Sequence, residues 1–300
     1  MNTRETDASL AWTRWKLVKP TVRFSYRSLR ETLDGGQSFR WNSADCRTWE
    51  GIWSRNLVRV RLDQQGRLQW SSPEALAVGM DERVADYFVA DMDPEKIADT
   101  LPWRSDDVLR KALEQWKGLR ILRQPLDETL MTFLCSSNKR IIHIKQICEA
   151  LARNLGEPLV GPHRSLPKWS TIRNSGEASI RACKTGYRAP YLMGTSERLV
   201  SDRGYLDDLK SAPYPSALRA LTALPGVGTK VAECVLLFGA ARMESFPVDT
   251  WIAKAMARLY GLHDWKPQQI AAFGRAHFGP YAGLAQQYLF AMERNRKSSN

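Results

Sequence analysis

The chain has 300 residues, 43% of them hydrophobic and 10% aromatic, which is enough to bury a sizeable core and argues against a disordered polypeptide. Its 44 Lys+Arg against 32 Asp+Glu leave a formal charge of +12, dispersed along the chain instead of gathered in a tail. Such a surface suits a polyanion such as DNA or RNA, although a basic protein without that partner has the same composition. The five cysteines (Cys46, Cys135, Cys148, Cys183 and Cys234) are scattered and contain no CxxC pair, so neither a disulfide framework nor a zinc site is expected, and no cofactor is indicated. No apolar run approaches membrane-spanning length and the N-terminus has no signal-peptide core, so no membrane role is expected.

In chain order, residues 1 to about 20 read as a loose arm or as a first strand running to Thr21-Val22-Arg23-Phe24. A turn at Asp34-Gly35-Gly36 precedes an alternating segment, Gln37 to Trp41, with Phe39 and Trp41 on one face. Trp49 to Trp53, Leu57 to Leu62 and Arg67 to Trp70 complete the strands, the last two joined by a hairpin at Asp63-Gln64-Gln65-Gly66. The first 75 residues or so are thus expected to hold an antiparallel sheet with one buried face. Helical patterns follow at Asp81–Ala90, Pro94–Thr100, Asp106–Trp116 and Asp127–Cys135. Ser136-Ser137-Asn138 breaks that series and can cap the next helix, which carries Ile141, Ile144, Ile147, Cys148 and Leu151 on one face. A Pro/Gly-rich loop spans Gly156 to Pro167. Helices are expected at Gly176–Arg188, Tyr191–Val200, Leu206–Leu209, Ser216–Ala223 and about Gly283–Arg294. The expected fold is α+β: an N-terminal antiparallel sheet part, residues 1–115, packed on an all-helical body, residues 116–300, that contains a helix-hairpin-helix motif.

Leu224 to Trp251 carries the chemistry. Its hairpin, Leu224-Pro225-Gly226-Val227-Gly228, opens an apolar helix. Glycines here can take positive φ and admit a close backbone, and successive N–H groups at a helix start form a phosphate site. An ordinary tight turn between helices is the plainer alternative. Lys230 lies in the first helical turn, where the dipole disfavours a cation. A nucleophilic amine must be neutral, and a dipole effect of about 0.3–1 kcal/mol is less than one pKa unit, so burial would have to contribute most of any shift. A solvated lysine near phosphate would bind DNA without chemistry. Asp249 stands at the head of the next helix, an N-cap position, and a carboxylate there can also steady positive charge on a sugar whose glycosidic bond is breaking.

Five segments in order carry a family resemblance: GGQSFRW at Gly35–Trp41, FLCSSNKRI at Phe133–Ile141, GYRAPY at Gly186–Tyr191, LPGVGTKVAECVLLF…FPVDTW at Leu224–Trp251, and GPYAGLAQQYLF at Gly279–Phe290. Together they resemble the 8-oxoguanine DNA glycosylase family, within the helix-hairpin-helix DNA glycosylases, over about residues 33 to 290. The resemblance implies a bifunctional enzyme of base excision repair. Lys230 would attack C1′, displace the base and form a Schiff base; β-elimination would nick the strand 3′ to the lesion; Asp249 would assist. Gly36 would offer its carbonyl to N7–H of 8-oxoguanine, Gln286 would bond the Watson–Crick edge, and Phe290 and Cys234 would sandwich the flipped base. Asn138, His143, Tyr187 and Arg188 would face the gap and the orphaned cytosine, and Gly226 and Gly228 the phosphates.

A single bond at Gly36, worth about 1–3 kcal/mol, would discriminate only about 5- to 150-fold, so gating during flipping is also expected. His143 stands where the family usually has arginine, which loosens the expected demand for opposite cytosine. Trp251 stands where histidine is common, and Asn138 is a single asparagine followed by Lys139 and Arg140. The C-terminal stretch Met292–Asn300 lacks the cysteines of an iron–sulfur loop. Another oxidised purine, such as formamidopyrimidine, is the alternative substrate, and a non-catalytic DNA-binding helix-hairpin-helix protein the alternative role. The expected partner is double-stranded DNA containing oxidised guanine, met by a monomer wherever the DNA is: nucleus in a eukaryote, cytoplasm or nucleoid in a prokaryote.

Overall fold

The computed structural model describes residues 10–296, so the start of the N-terminal arm, residues 1–9, lies outside the described residues. Five antiparallel strands form one sheet: β1 (Lys16–Leu17), β2 (Trp41–Asn42), β3 (Trp49–Trp53), β4 (Asn56–Leu62) and β5 (Leu68–Ser71), in the order β1-β5-β4-β3-β2. In the β4–β5 hairpin Val60 pairs with Trp70 and Leu62 with Leu68, and the alternation expected for β4 holds: Val58, Val60 and Leu62 are buried while Arg59 and Arg61 are partly exposed. Behind the sheet, Trp41 donates its indole N–H to the Tyr87 hydroxyl at 3.0 Å, and the Trp53 ring stacks on Tyr87 at 4.2 Å. Such aromatic pairs add about 0.5–1.5 kcal/mol each beyond the area they bury.

Several local expectations are corrected. The first strand is β1, while the Thr21–Phe24 segment contributes only an isolated bridge, Arg23 to Arg67. Helix α1 (Tyr26–Asp34) fills a stretch in which the sequence suggested no element. A reciprocal cap starts it, Ser25 Oγ accepting from Ser28 N at 3.0 Å and Ser28 Oγ from Ser25 N at 2.9 Å. Residues 37–40 are not a one-sided strand: Gln37, Ser38 and Arg40 are buried alongside Phe39, because the segment runs between the two halves of the molecule.

The helices that follow are α2 (Met80–Tyr87), α3 (Pro94–Asp99), α4 (Asp107–Gln115), α5 (Leu126–Leu134), α6 (Ile141–Leu155), α7 (Trp169–Ile180), α8 (Ala189–Ser201), α9 (Tyr205–Ser211), α10 (Tyr214–Thr222), α11 (Thr229–Gly239), α12 (Thr250–Tyr260), α13 (Pro267–Phe278) and α14 (Ala282–Arg296). Arg140, not the Ser136–Asn138 run, is the N-cap of α6, and no side chain caps it. Asn138 instead takes a left-handed conformation, φ 53°, within the turn. The helix expected over Gly176–Arg188 is displaced: α7 begins at Trp169, Gly176 breaks it at φ 73°, and Arg181–Arg188 forms tighter and wider turns around Lys184 and Gly186. Helix α13 was not visible as a separate element in the sequence.

Two hydrophobic cores result. Leu29, Leu33, Trp41, Trp70, Val84 and Phe88 belong to the sheet core, with Leu122 reaching in from beyond residue 115. Leu109 and Trp116 belong instead to the helical core, with Leu130, Leu151, Leu237 and Leu289. The two cores interlock across the middle of the sequence, and the segment carrying Gly36 lies where they meet.

Candidate active site

A cleft of about 920 Å³ opens between the sheet part and the helical body. Its walls come from five separated stretches: the turn after α1 (Gly36), the α5–α6 turn (Ser136 to Arg140), α11 (Lys230, Cys234), the head of α12 (Asp249) and α14 (Gln286, Phe290). Gly228 also lines it. His143, Tyr187, Arg188 and Gly226 do not.

Lys230 is in the first turn of α11, half-buried, with Nζ 3.5 Å from Ser136 Oγ and 5.4 Å above the Phe133 ring. The next residue round that face, Cys234, is buried. Burial pushes its thiol up to about 11, while the Lys230 charge works the other way. At neutral pH the sulfur therefore presents a neutral, polarisable surface. Glu233 fixes the helix from behind. Its buried carboxylate accepts from the Tyr214 hydroxyl at 2.5 Å, from Arg275 Nη1 at 3.0 Å and from Phe246 N at 3.0 Å, which ties α10, α11 and α13 together.

Asp249 is the N-cap of α12. Its Oδ1 accepts from Trp251 N at 2.9 Å and from Ile252 N at 2.8 Å. Burial raises the carboxyl above its usual range, against the opposing pull of the Ile252 N–H and the Lys230 charge. Cap and cleft-lining group are thus one side chain, as its position at a helix head suggested.

Gly36 has φ 92°, and a Cβ there would meet Ile141 Cδ1 at 3.1 Å, so the loop lies tight against α6. Its carbonyl accepts no hydrogen bond from the described residues. On α14, Gln286 donates from Nε2 to the Pro247 carbonyl at 3.1 Å and accepts at Oε1 from Gln287 Nε2 at 2.8 Å. Among the described residues, one N–H and one lone pair of the amide have no further hydrogen-bond partner. Phe290 lies one turn further along the same face.

The residues assigned to the gap divide into two kinds. Tyr187 is 50% exposed, edge-on to Tyr191 at 6.2 Å, and its hydroxyl donates to the Ser137 carbonyl at 3.4 Å. Arg188 is only 2% exposed: it lies against the Tyr187 ring and bonds the Thr185 and Ser137 carbonyls. Arg188 therefore braces the Asn138 turn from beneath. His143 is partly exposed on α6, away from the cleft wall.

The hairpin glycines also differ from each other. Gly226 has φ 75°, and a Cβ would come within 2.4 Å of the Tyr191 ring. Gly228 has φ −83°, extended backbone open to any residue, and a Cβ there would meet nothing within 4 Å; positive φ is not its reason. Gly226→Ala combines a left-handed penalty of about 1–2 kcal/mol with a ring clash. It is expected to lower the melting temperature by several degrees, whereas Gly228→Ala leaves it nearly unchanged; parallel thermal melts check this.

Sequence reasoning missed Ser136, whose hydroxyl accepts from the Lys230 amine, because a Ser-Ser-Asn run reads first as a cap. It also missed Gln287. The paired amides of Gln286-Gln287 on a buried helix were the available signal, since a buried amide demands partners.

Both parts of the chain match known families. Residues 21–130 match the 8-oxoguanine DNA glycosylase N-terminal domain, and residues 131–276 the HhH-GPD superfamily of base excision DNA repair proteins. An N-glycosylase/DNA lyase of Saccharomyces cerevisiae is 30% identical over 275 residues, covering 82% of this chain and 72% of the relative. An Arabidopsis thaliana N-glycosylase/DNA lyase is 28% identical over 291 residues, covering 87% and 76%. The crystal structure of Clostridium acetobutylicum 8-oxoguanine glycosylase/lyase, bound to duplex DNA with cytosine opposite 8-oxoguanine, superposes with TM-score 0.83 at 29% identity, covering 95% of this chain and 99% of that one. With a lysine and a helix-capping aspartate facing one cleft and both domain signatures in sequence order, the chain belongs to the 8-oxoguanine DNA glycosylase family of N-glycosylase/DNA lyases.

Proposed function

We propose that the cleft receives an 8-oxoguanine turned out of duplex DNA, and that Lys230 and Asp249 remove it and then cut the strand. The neutral Lys230 amine attacks C1′. The C1′–N9 bond breaks, and the base leaves with that electron pair and takes up a proton. The amine loses its proton, the sugar ring opens at O4′, and a Schiff base joins Nζ to C1′. Loss of a C2′ proton then expels the 3′ phosphate by β-elimination, and water releases the enzyme. Asp249, held by two backbone N–H groups, faces the positive charge that develops on the sugar as the glycosidic bond breaks. The base sits between Cys234 and Phe290, with the Gly36 carbonyl toward N7–H and the free donor and acceptor of Gln286 toward its Watson–Crick edge.

The observation that carries this reading is the convergence of Gly36, Lys230, Asp249, Gln286 and Phe290, from four distant stretches of chain, on one cleft. Tyr187, exposed on the rim, fills the gap in the duplex, with Arg188 holding it from below. Asn138, Lys139 and Arg140 line the same cleft; His143, outside that lining in the first turn of α6, approaches the orphaned base from beside them. Gly226 and Gly228 turn the hairpin toward the phosphates. The working units are residues 1–115, which supply Gly36, and residues 116–300, which supply the rest. The enzyme acts as a monomer in whichever compartment holds the DNA.

Cleavage assays on duplexes carrying 8-oxoguanine opposite each of the four bases test the reading. Efficient strand scission with cytosine opposite supports it; no base release from any of the four sinks it. Binding to such duplexes is expected to weaken with salt at a slope of about −0.9 in log–log terms for each phosphate contacted. A titration between low and moderate salt checks this, and a flat response contradicts a phosphate-dominated interface.

A further inference from the structure

The contacts on either side of Gly36 carry an inference that deepens the proposed function and rests on it. Asp34, the last residue of α1, lies two residues before Gly36. Its carboxylate accepts from Lys145 Nζ at 2.8 Å and its backbone carbonyl from Arg294 Nη1 at 2.6 Å. The Lys145–Asp34 pair is largely shielded, with side chains 14% and 29% exposed. Gln37, on the other side, is fully buried. It donates from Nε2 to the Arg120 carbonyl at 2.8 Å, accepts at Oε1 from Leu122 N at 2.9 Å, and its own carbonyl accepts from Gln124 Nε2 at 2.6 Å.

The helical periodicity gives these anchors their meaning. Lys145 follows Ile141 by four residues on α6, and Ile141 is the side chain against which Gly36 lies. Arg294 follows Phe290 by four residues on α14, and Phe290 follows Gln286 by four. Residues so spaced share a helix face. One face of α14 thus meets the base with two side chains and grips the opposing loop with the third.

We propose that Lys145 and Arg294 are positioning residues for base choice: they fix the height of the Gly36 carbonyl over the slot bounded by Phe290. Arg294 lines the cleft and Lys145 does not, and among the described residues neither is hydrogen-bonded to the Lys230 amine. Their loss therefore impairs recognition of the base and spares chemistry on a sugar that carries none. A displacement of about 1 Å in a positioning group can cost about 10²-fold.

The test compares two substrates under single-turnover conditions, a duplex with 8-oxoguanine opposite cytosine and the same duplex with a preformed abasic site. For Lys145→Met, 8-oxoguanine excision is expected to fall by about tenfold or more, while abasic-site cleavage stays within about twofold of wild type. Lys145→Arg, which keeps the charge, is expected to restore most of the excision. Asp34→Asn is expected to reproduce the loss, and the Asp34→Asn/Lys145→Met double variant to add little to either single change. Equal losses on the two substrates would mark the pair as purely structural and overturn the proposal; so would undiminished excision. Wild-type protein that cleaves abasic DNA but leaves 8-oxoguanine in place would refute the proposed substrate itself and take this inference with it.

Discussion

Lys230→Gln is expected to abolish borohydride trapping on 8-oxoguanine DNA and to slow base release by at least about 10⁴-fold, the scale of loss seen when a covalent nucleophile is removed. Borohydride reduces a C=N bond, so it records a Schiff base and nothing else in this cleft. Glutamine keeps a polar chain of similar reach, and the hydrogen bond from the amine it replaces to Ser136 Oγ is long, 3.5 Å. The variant is therefore expected to fold and to bind lesion DNA nearly as well as wild type. Trapping of the variant at wild-type yield would show that another amine attacks C1′.

The second large effect belongs to Asp249. Asp249→Asn keeps a good N-cap, since asparagine and aspartate are about equally effective there. The variant is expected to bind lesion DNA normally while releasing the base about 10²- to 10³-fold more slowly, the scale for losing one preorganised electrostatic partner of a transition state. Because burial raises this carboxyl, the ionised form that steadies the sugar is lost as the pH falls through a value above the usual carboxylate range near 3.8. The wild-type rate of base release is expected to show an acid limb displaced upward accordingly, and the asparagine variant to lack it.

The stability consequence has the opposite sign. A carboxyl whose folded pKa is raised favours the folded state at low pH, and that contribution is lost as the pH rises through the raised value. At neutral pH the ionised, buried Asp249 is therefore a cost to the fold, and Asp249→Asn is expected to melt at the same temperature or slightly above. Parallel melts and single-turnover rates at several pH values check both halves. Equal losses in binding, stability and rate would reduce Asp249 to a helix cap.

Much of this site could be read from local pattern. Lys230 and Asp249 sit at helix starts that the hairpin and Pro247-Val248 announce, and β3 to β5 follow from two-residue alternation and a four-residue turn. Family motifs, not periodicity, pointed to Gly36, Gln286 and Phe290, which the fold then places on one cleft. What stayed hidden depends on distant partners. The burial of Arg188 beneath Tyr187 needs the Ser137 carbonyl, about fifty residues earlier in sequence, and no composition rule places an arginine there. Gln37 and Arg40 look like the polar half of a strand and are buried because a second core closes over them. Helix α1 went unseen because serines serve as both cap and first-turn residues, a signal that also reads as loop. Gly176 marks a break within α7 and not its start, which only the backbone angle reveals.

The bond from Gln286 to the Pro247 carbonyl joins two operations that are otherwise separate. Pro247 precedes Asp249 by two residues on a short segment entering α12, so the amide proposed to read the base edge also holds the segment that carries the acid. On that proposal, a base that draws Gln286 out of line is expected to loosen the seat of the carboxylate as well. On the proposed base contact, a mismatch at this edge is expected to slow bond breaking as well as to weaken binding, so that fidelity and turnover are coupled through one hydrogen bond.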